Sequence, residues 1–199
     1  DIVKPCLQTI GPDPSAHRIV GLYMMTVNGQ LMFIADATIN IYPDARTLAE
    51  IALQTARVAR RFGVTPKVAM LSFSNFGTSN ELRTDRIEEA ITMAREMDRG
   101  LVIDGPMQAD TALVPDRQKE FPFMEFEGPA NVLVCPNLAS ANIAYKLLQR
   151  IAGAEMTGPI LEGLAKPAHV LQRGDSVRQV VHMAAITAVD AQRHARQRL

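Results

Sequence analysis

Lys67-Val-Ala-Met-Leu-Ser-Phe-Ser-Asn-Phe-Gly77 decides the fold. Lys67–Phe73 reads as a buried strand. The hydroxyls, amide and glycine up to Asn80 read as a loop, and Glu81–Asp98 carries Ile87, Ile91 and Ala94 at helical spacing. Strand, polar loop and helix in that order are half of a βαβ unit, and the succession repeats on both sides. Upstream, Pro43–Gly63 places Leu48, Ile51, Ala52, Thr55, Ala59 and Phe62 on one stripe. Arg57, Arg60 and Arg61 fall in its last turns and Gly63 serves as C-cap. Downstream, Leu101–Ile103 and Asn131–Cys135 read as strands and Ala139–Ile151 as a helix. The expected fold class is therefore α/β with a largely parallel sheet.

Working outward, Ile19–Val27 and Leu31–Asp36 flank Asn28-Gly29, a favoured two-residue hairpin turn, so one antiparallel pair joins the sheet. Pro106–Pro129 holds four prolines in an apolar and charged mixture and is expected to wrap the surface irregularly. Ser176–Arg196 reads as the last helix. Val177, Val180, Val181, Ala184, Ala188 and Ala191 form its apolar stripe, and Arg193, His194, Arg196 and Arg198 suit its C-terminal dipole.

The 199 residues suffice for one domain or two small ones, and 47% apolar residues exclude a disordered chain. Twenty-one basic residues balance 21 acidic ones, so nothing favours a nucleic-acid backbone. Cys6 and Cys135 share no CxxC unit, which excludes a disulfide scaffold and a structural zinc site; both are expected to be buried thiols in a reducing compartment. No apolar run is long enough to span a membrane, the opening Asp-Ile-Val-Lys-Pro lacks the charged-then-apolar pattern of a signal peptide, and the first residue is not Met. The expectation is a cytoplasmic piece of a longer protein.

Standard nucleotide, hydrolase and metalloprotease motifs are absent, and His17, His169, His182 and His194 are scattered. Three polar loops remain. Ser72, Ser74 and Asn75 open a loop between strand and helix, where an anion meets hydroxyls and a helix N-terminus; helix capping explains some of the same residues. Asn137 begins a second such loop, followed on its helix by Lys146 and Arg150, cations for a phosphate or a solvated face. Gln172-Arg173-Gly174-Asp175-Ser176 is the third, in which a guanidinium fork and backbone N–H groups suit an anion.

Longer motifs go further. Ala69–Gly77, Asp104-Gly-Pro-Met-Gln-Ala-Asp-Thr-Ala-Leu113, Cys135-Pro-Asn-Leu138 and Gly158-Pro-Ile-Leu-Glu-Gly-Leu-Ala-Lys-Pro-Ala-His-Val-Leu-Gln-Arg-Gly174 together resemble a phosphotransacetylase (phosphate acetyltransferase), in order from about Val20 to Gln192. Within that family, Ser-Phe-Ser-Asn-Phe-Gly and Lys-Pro-Ala-His-Val-Leu-Gln-Arg-Gly look most like the domain at the C-terminus of bacterial NADP-dependent malic enzymes.

The resemblance implies a two-lobed, isocitrate-dehydrogenase-like α/β fold with a mixed, mostly parallel sheet flanked by helices. Residues 1–14 would end a first lobe, 15–155 form the second, and 156–199 return to complete the first. It also implies a coenzyme A cleft and a dimer, for which the methionines of the hairpin, Met24, Met25 and Met32, offer apolar surface. Active members carry Ser before the Arg of Ser-Arg-Gly and an Asp six residues after that Arg; here those positions hold Gln172 and Gln179, while Arg173 and Gly174 match.

An amide is no general base at neutral pH, which gives the leading expectation. It is a catalytically silent regulatory domain of a malic enzyme, with NADP and a divalent metal in a missing upstream domain. Acetyl-CoA is its inhibitor, bound by Arg173, Gly174, Gln172, Arg150, Ser72, Ser74, Asn75 and Asn137, with no catalytic residue and no metal in this chain. The alternatives are an active phosphate acetyltransferase with Asp175 recruited as base, and a structural dimerisation domain.

Overall fold

The computed structural model describes residues 3–14, 16–27, 29–77 and 85–196. Six strands form one mixed sheet: β1 (Val20–Val27), β2 (Gln30–Ala35), β3 (Lys67–Leu71), β4 (Val102–Met107), β5 (Val132–Val134) and β6 (Glu155–Glu162). Their order is β4-β3-β5-β2-β1-β6. Strands β4, β3, β5 and β2 run parallel, and β1 is antiparallel to both β2 and β6. This is the α/β class with a mixed sheet that the sequence implied. Val27 pairs with Gln30 and Gly29 has φ 77°, as a two-residue turn requires, while Asn28 lies outside the described residues.

Helices cover both faces. On one lie α2 (Ala45–Arg61), α3 (Asp85–Met97) and α7 (Val177–Arg196), around Leu22, Phe33, Leu48, Ile51, Val68, Ile103 and Ile160. On the other, α6 (Leu138–Ile151) and the short α4 (Ala109–Leu113) cover Tyr23, Ile34, Met107, Leu133 and Tyr145. Two further short helices are α1 (Val3–Thr9) and α5 (Pro115–Gln118). Helix α2 follows its sequence closely: Asp44 caps it by accepting the Thr47 N–H at 2.8 Å, the expected apolar stripe is buried from Leu48 to Ala59 but ends on an exposed Phe62, and Gly63 takes φ 75° just past its end. The expected start of α3, Glu81–Thr84, lies outside the described residues.

Four expectations change. The third parallel strand does not stop at Ile103 but continues through Asp104-Gly105-Pro106-Met107, and α4 and α5 follow within the stretch read as irregular. Strand β6, unread in the sequence, supplies one sheet edge. The methionine-rich hairpin is covered: Met25 and Met32 are buried and Met24 is half-buried. The stripe Val177, Val180, Val181, Ala184, Ala188 and Ala191 faces solvent, and α7 instead packs through Met183 and Ile186. Periodicity located an apolar face on α7 but not the face this sheet receives, because both faces repeat at helical spacing. Cys135 is buried as expected, whereas Cys6 is half-buried.

Candidate functional site

The structure sorts the expected ligands into two places. The first is the carboxyl edge of the parallel strands, where ligands of open α/β sheets usually sit. A cleft of about 920 Å³ there is lined by Tyr42, Ser72, Phe73, Arg86, Cys135 and Asn137, among others. Most of its polar groups hold the chain itself. Asn137 caps α6, its Oδ1 accepting the Ser140 N–H at 2.9 Å. Asn75 Oδ1 accepts the Gln108 N–H at 2.7 Å, and Ser72 N–H donates to Met107 at 2.8 Å, so this loop is tied to the end of β4. Ser74 is buried and its Oγ has no partner among the described residues. Residues 78–80 of the expected loop lie outside the described residues.

Two residues of this cleft escaped the sequence reading. Arg86 donates to the Pro136 carbonyl at 2.9 Å, placing a guanidinium on the cleft wall. Cys135 was read only as a buried thiol, and burial pushes it up to about 11, so it stays protonated at neutral pH. Asp36 was missed as well: at φ 46° it accepts N–H groups from Gly21, Ile39 and Asn40 and so fixes the turn leading to Tyr42. Burial raises its pKa against the pull of those bonds. A lone Asp at a strand end gives no spacing signal for such a hub.

The second place is the loop before α7. The Gln172 side chain donates to the Tyr23 hydroxyl, and Tyr23 stacks on Tyr145 of α6 with ring centroids 4.3 Å apart. Burial, with Tyr145 beside it, raises the Tyr23 pKa and keeps its hydroxyl protonated. Asp175 accepts the Gln172 N–H at 2.7 Å and closes a tight turn through Gly174, at φ 91°. Asp175 is not the helix cap; Ser176 is. Gln179 Oε1 accepts the Ser176 N–H at 2.7 Å and Ser176 Oγ accepts the Gln179 N–H at 3.3 Å, a reciprocal capping box, while Gln179 Nε2 donates to Met156 O at 2.8 Å.

Arg173 and Arg150 are both exposed and have no hydrogen bond or ion pair among the described residues. Arg150 lies in the last turn of α6, about 20 Å along the axis from Asn137 but only about 7.5 Å beyond Tyr145. It therefore sits away from the carboxyl edge and towards the Tyr23 end of its helix. Neither arginine lines the 920 Å³ cleft, and no hydrogen bond joins the 72–77 and 172–179 loops among the described residues.

No cluster of metal-ligating side chains occurs among the described residues, nor any helix long and apolar enough to cross a membrane.

Comparison with known proteins gives the family. The phosphate acetyl/butaryl transferase model matches residues 1–188. A phosphate acetyltransferase from Bacillus subtilis is 40% identical over 192 residues, covering 96% of this chain and 59% of the relative. A phosphotransacetylase structure from Streptococcus pyogenes superposes with TM-score 0.90 at 40% identity, and the EutD phosphotransacetylase of Staphylococcus aureus with 0.88 at 38%. In both cases 96% of this chain and 59% of theirs are covered. The chain thus spans about three-fifths of the length of these relatives.

These findings overturn the leading expectation from sequence. The similar proteins are phosphate acetyltransferases, and none of these matches points to a malic enzyme, an oxidoreductase or an NADP-dependent chain. The reading failed because it let two substituted positions, Gln172 and Gln179, outweigh similarity along the whole chain. This chain belongs to the phosphate acetyl/butaryl transferase family.

Proposed function

We propose that the full-length protein moves an acyl group between phosphate and the thiol of coenzyme A, and that residues 172–179 with Arg150 form this chain's share of the acyl-transfer centre. The observation that carries the reading is the pair of exposed arginines without partners among the described residues, Arg150 and Arg173, in a chain 40% identical to phosphate acetyltransferases. Substrate and product of such a transfer are both oxyanions. A guanidinium with no internal partner is a ready bidentate donor to them.

Asp175 is the carboxylate of this loop. It takes the proton from the coenzyme A thiol; the thiolate sulfur attacks the acyl carbonyl carbon of the acyl phosphate; the carbon–oxygen bond to phosphorus breaks, and phosphate leaves with the electron pair. Gln172 and Gln179 then serve placement. Gln172 fastens the loop to Tyr23, and Gln179 closes the first turn of α7. Coenzyme A is on this reading a substrate rather than an inhibitor.

The test is a thioester assay on the full-length protein with coenzyme A and acetyl or butyryl phosphate. Turnover is expected with one of them, and Asp175→Asn lowers kcat by ~10²–10⁴, the usual worth of a general base. Absence of turnover with either acyl phosphate would sink the reading. Full kcat in Asp175→Asn would remove Asp175 from it.

A further inference from the structure

A second cavity, of about 580 Å³, opens between the C-terminal turns of α2 and α7 and the segment around the end of β6. It shares no lining residue with the carboxyl-edge cleft or with residues 172–179. Within it lies a closed ionic network. Arg61 reaches across from α2 to Glu162 and, at 3.1 Å, to Asp190; His169 Nε2 meets the other Asp190 oxygen at 3.1 Å. His169 Nδ1 accepts the Leu161 N–H at 3.1 Å, so the ring proton sits on Nε2 and is donated to Asp190. Of the three lining carboxylates, Glu162 and Asp190 are engaged in this network; the third is Asp13.

Cations outnumber the acids in the rest of the lining, which also holds Asp13, Gln54 and Arg193, the last donating to the Arg61 carbonyl at 3.4 Å. Arg57, Lys166 and Arg196 have no hydrogen bond or ion pair among the described residues. In addition, Arg61 Nε, His194 Nε2 and the amide oxygen of Gln54 are buried and without a partner among the described residues, so the site also offers a place for one donor of the ligand. Buried polar groups in native proteins are normally satisfied, and an orphaned guanidinium N–H calls for an acceptor. Complementing the dipoles of α2 and α7 accounts for arginines in their last turns. It accounts neither for Lys166, which is in no helix, nor for Arg57, a turn earlier, nor for the orphaned atoms of Gln54, Arg61 and His194.

We propose that this cavity binds a small multivalent oxyanion, a ligand carrying a diphosphate or polycarboxylate group, at a site separate from the acyl-transfer centre. Oxygen acceptors supply what Arg61 Nε and His194 lack, and multiple negative charge answers Arg57, Lys166 and Arg196. The volume suits a metabolite-sized ligand. The inference does not depend on the transferase reading, since no residue is common to both.

Calorimetric titration of the full-length protein with inorganic pyrophosphate, and separately with citrate, tests it. At least one is expected to bind, with affinity kept in Arg173→Ala and reduced at least tenfold in Arg57→Ser/Lys166→Ser/Arg196→Ser. His194→Ala is expected to weaken the same binding severalfold without removing a permanent charge. Preference for pyrophosphate assigns a phosphorylated ligand, and preference for citrate a polycarboxylate. If the triple variant melts early, Lys166→Ser alone gives the same reading, because this exposed side chain holds nothing else among the described residues. No binding of either anion, or isotherms unchanged in the triple variant, would overturn the proposal.

Discussion

The two edge strands of the sheet repeat one device with opposite consequences. Both β4 and β6 carry Gly-Pro in mid-strand, at Gly105-Pro106 and Gly158-Pro159. Proline cannot donate to a ladder and so belongs at an edge. Both glycines have positive φ and press on the neighbouring strand: a Cβ at Gly105 would lie 2.6 Å from Met70 O, and one at Gly158 2.9 Å from Leu22 O. At each place the register with the neighbour is irregular. Beside β4 the adjoining polar loop closes on the strand. Ser72, Asn75 and Phe76 all bond to residues 106–108. Beside β6 the loop closes mainly on itself, through Asp175, Ser176 and Gln179, reaches the sheet through the Gln179 and Gln172 side chains, at Met156 O and the Tyr23 hydroxyl, and leaves Arg173 outside. Similar stretches of polar residues therefore become a clasp in one case and a platform for an exposed cation in the other.

Substituting the glycines is the harshest test of that comparison. Gly105→Ala forces a side chain against a backbone carbonyl at φ 138°, a combination of strain and overpacking on the order of 3 kcal/mol. Gly158→Ala meets the Tyr23 ring as well as Leu22 O, and the ring can give. Its melting temperature is expected to fall less than that of Gly105→Ala, but it displaces Tyr23 against Gln172 and lowers transfer activity in the folded fraction. Equal loss of stability with untouched activity would show that the two edges are equivalent after all.

Next in size is Arg173→Ala. Losing a charge-assisted hydrogen bond weakens coenzyme A or acyl phosphate binding by about 1.5–3 kcal/mol, read as a rise in KM, with no comparable loss of stability because the side chain has no partner in the described fold. The matching change beside β4, Asn75→Ala, is expected to do the reverse: it leaves the Gln108 N–H without its acceptor and lowers stability, with KM unchanged. A KM shift in Asn75→Ala would move that loop into the transfer centre.

The edges also explain what the sequence could and could not disclose. β3, β5, α2 and α6 were legible because a buried parallel strand is a short apolar run and a packed helix an apolar stripe. β6 was not, since Gly158-Pro159 reads as a break, and the same signal cut β4 short at Ile103. Edge position, which makes proline tolerable, is a property of the sheet and has no local signature. The polar loops were found, but their roles were not. Asn137 and Asn75 carry the residue types of a ligand site and are used as a cap and a clasp, whereas the freedom of Arg173 depends on the partner Asp175 chooses instead, the Gln172 N–H.

The smallest expected effect discriminates most finely, and it falls on Gln179. Gln179→Ala removes the side-chain half of the capping box with Ser176 and the bond to Met156 O while keeping the backbone N–H to Ser176 Oγ, and is expected to cost about 1 kcal/mol in unfolding free energy. Gln179→Glu keeps the acceptor that receives the Ser176 N–H and loses only the donor to Met156, so its melting temperature lies between those of the wild type and Gln179→Ala. Gln179→Asp is the informative one for chemistry, because it restores the residue that active family members resemble at this position. An aspartate is a methylene shorter than glutamate, yet it still accepts at a helix N-terminus and keeps the loop closed. If Asp175 already takes the thiol proton, a second carboxylate leaves kcat within a few-fold of the wild type in a thioester assay. A rise of ~10² or more would mean that the base belongs at residue 179, and that Asp175 serves only to fold the turn that holds Arg173 out.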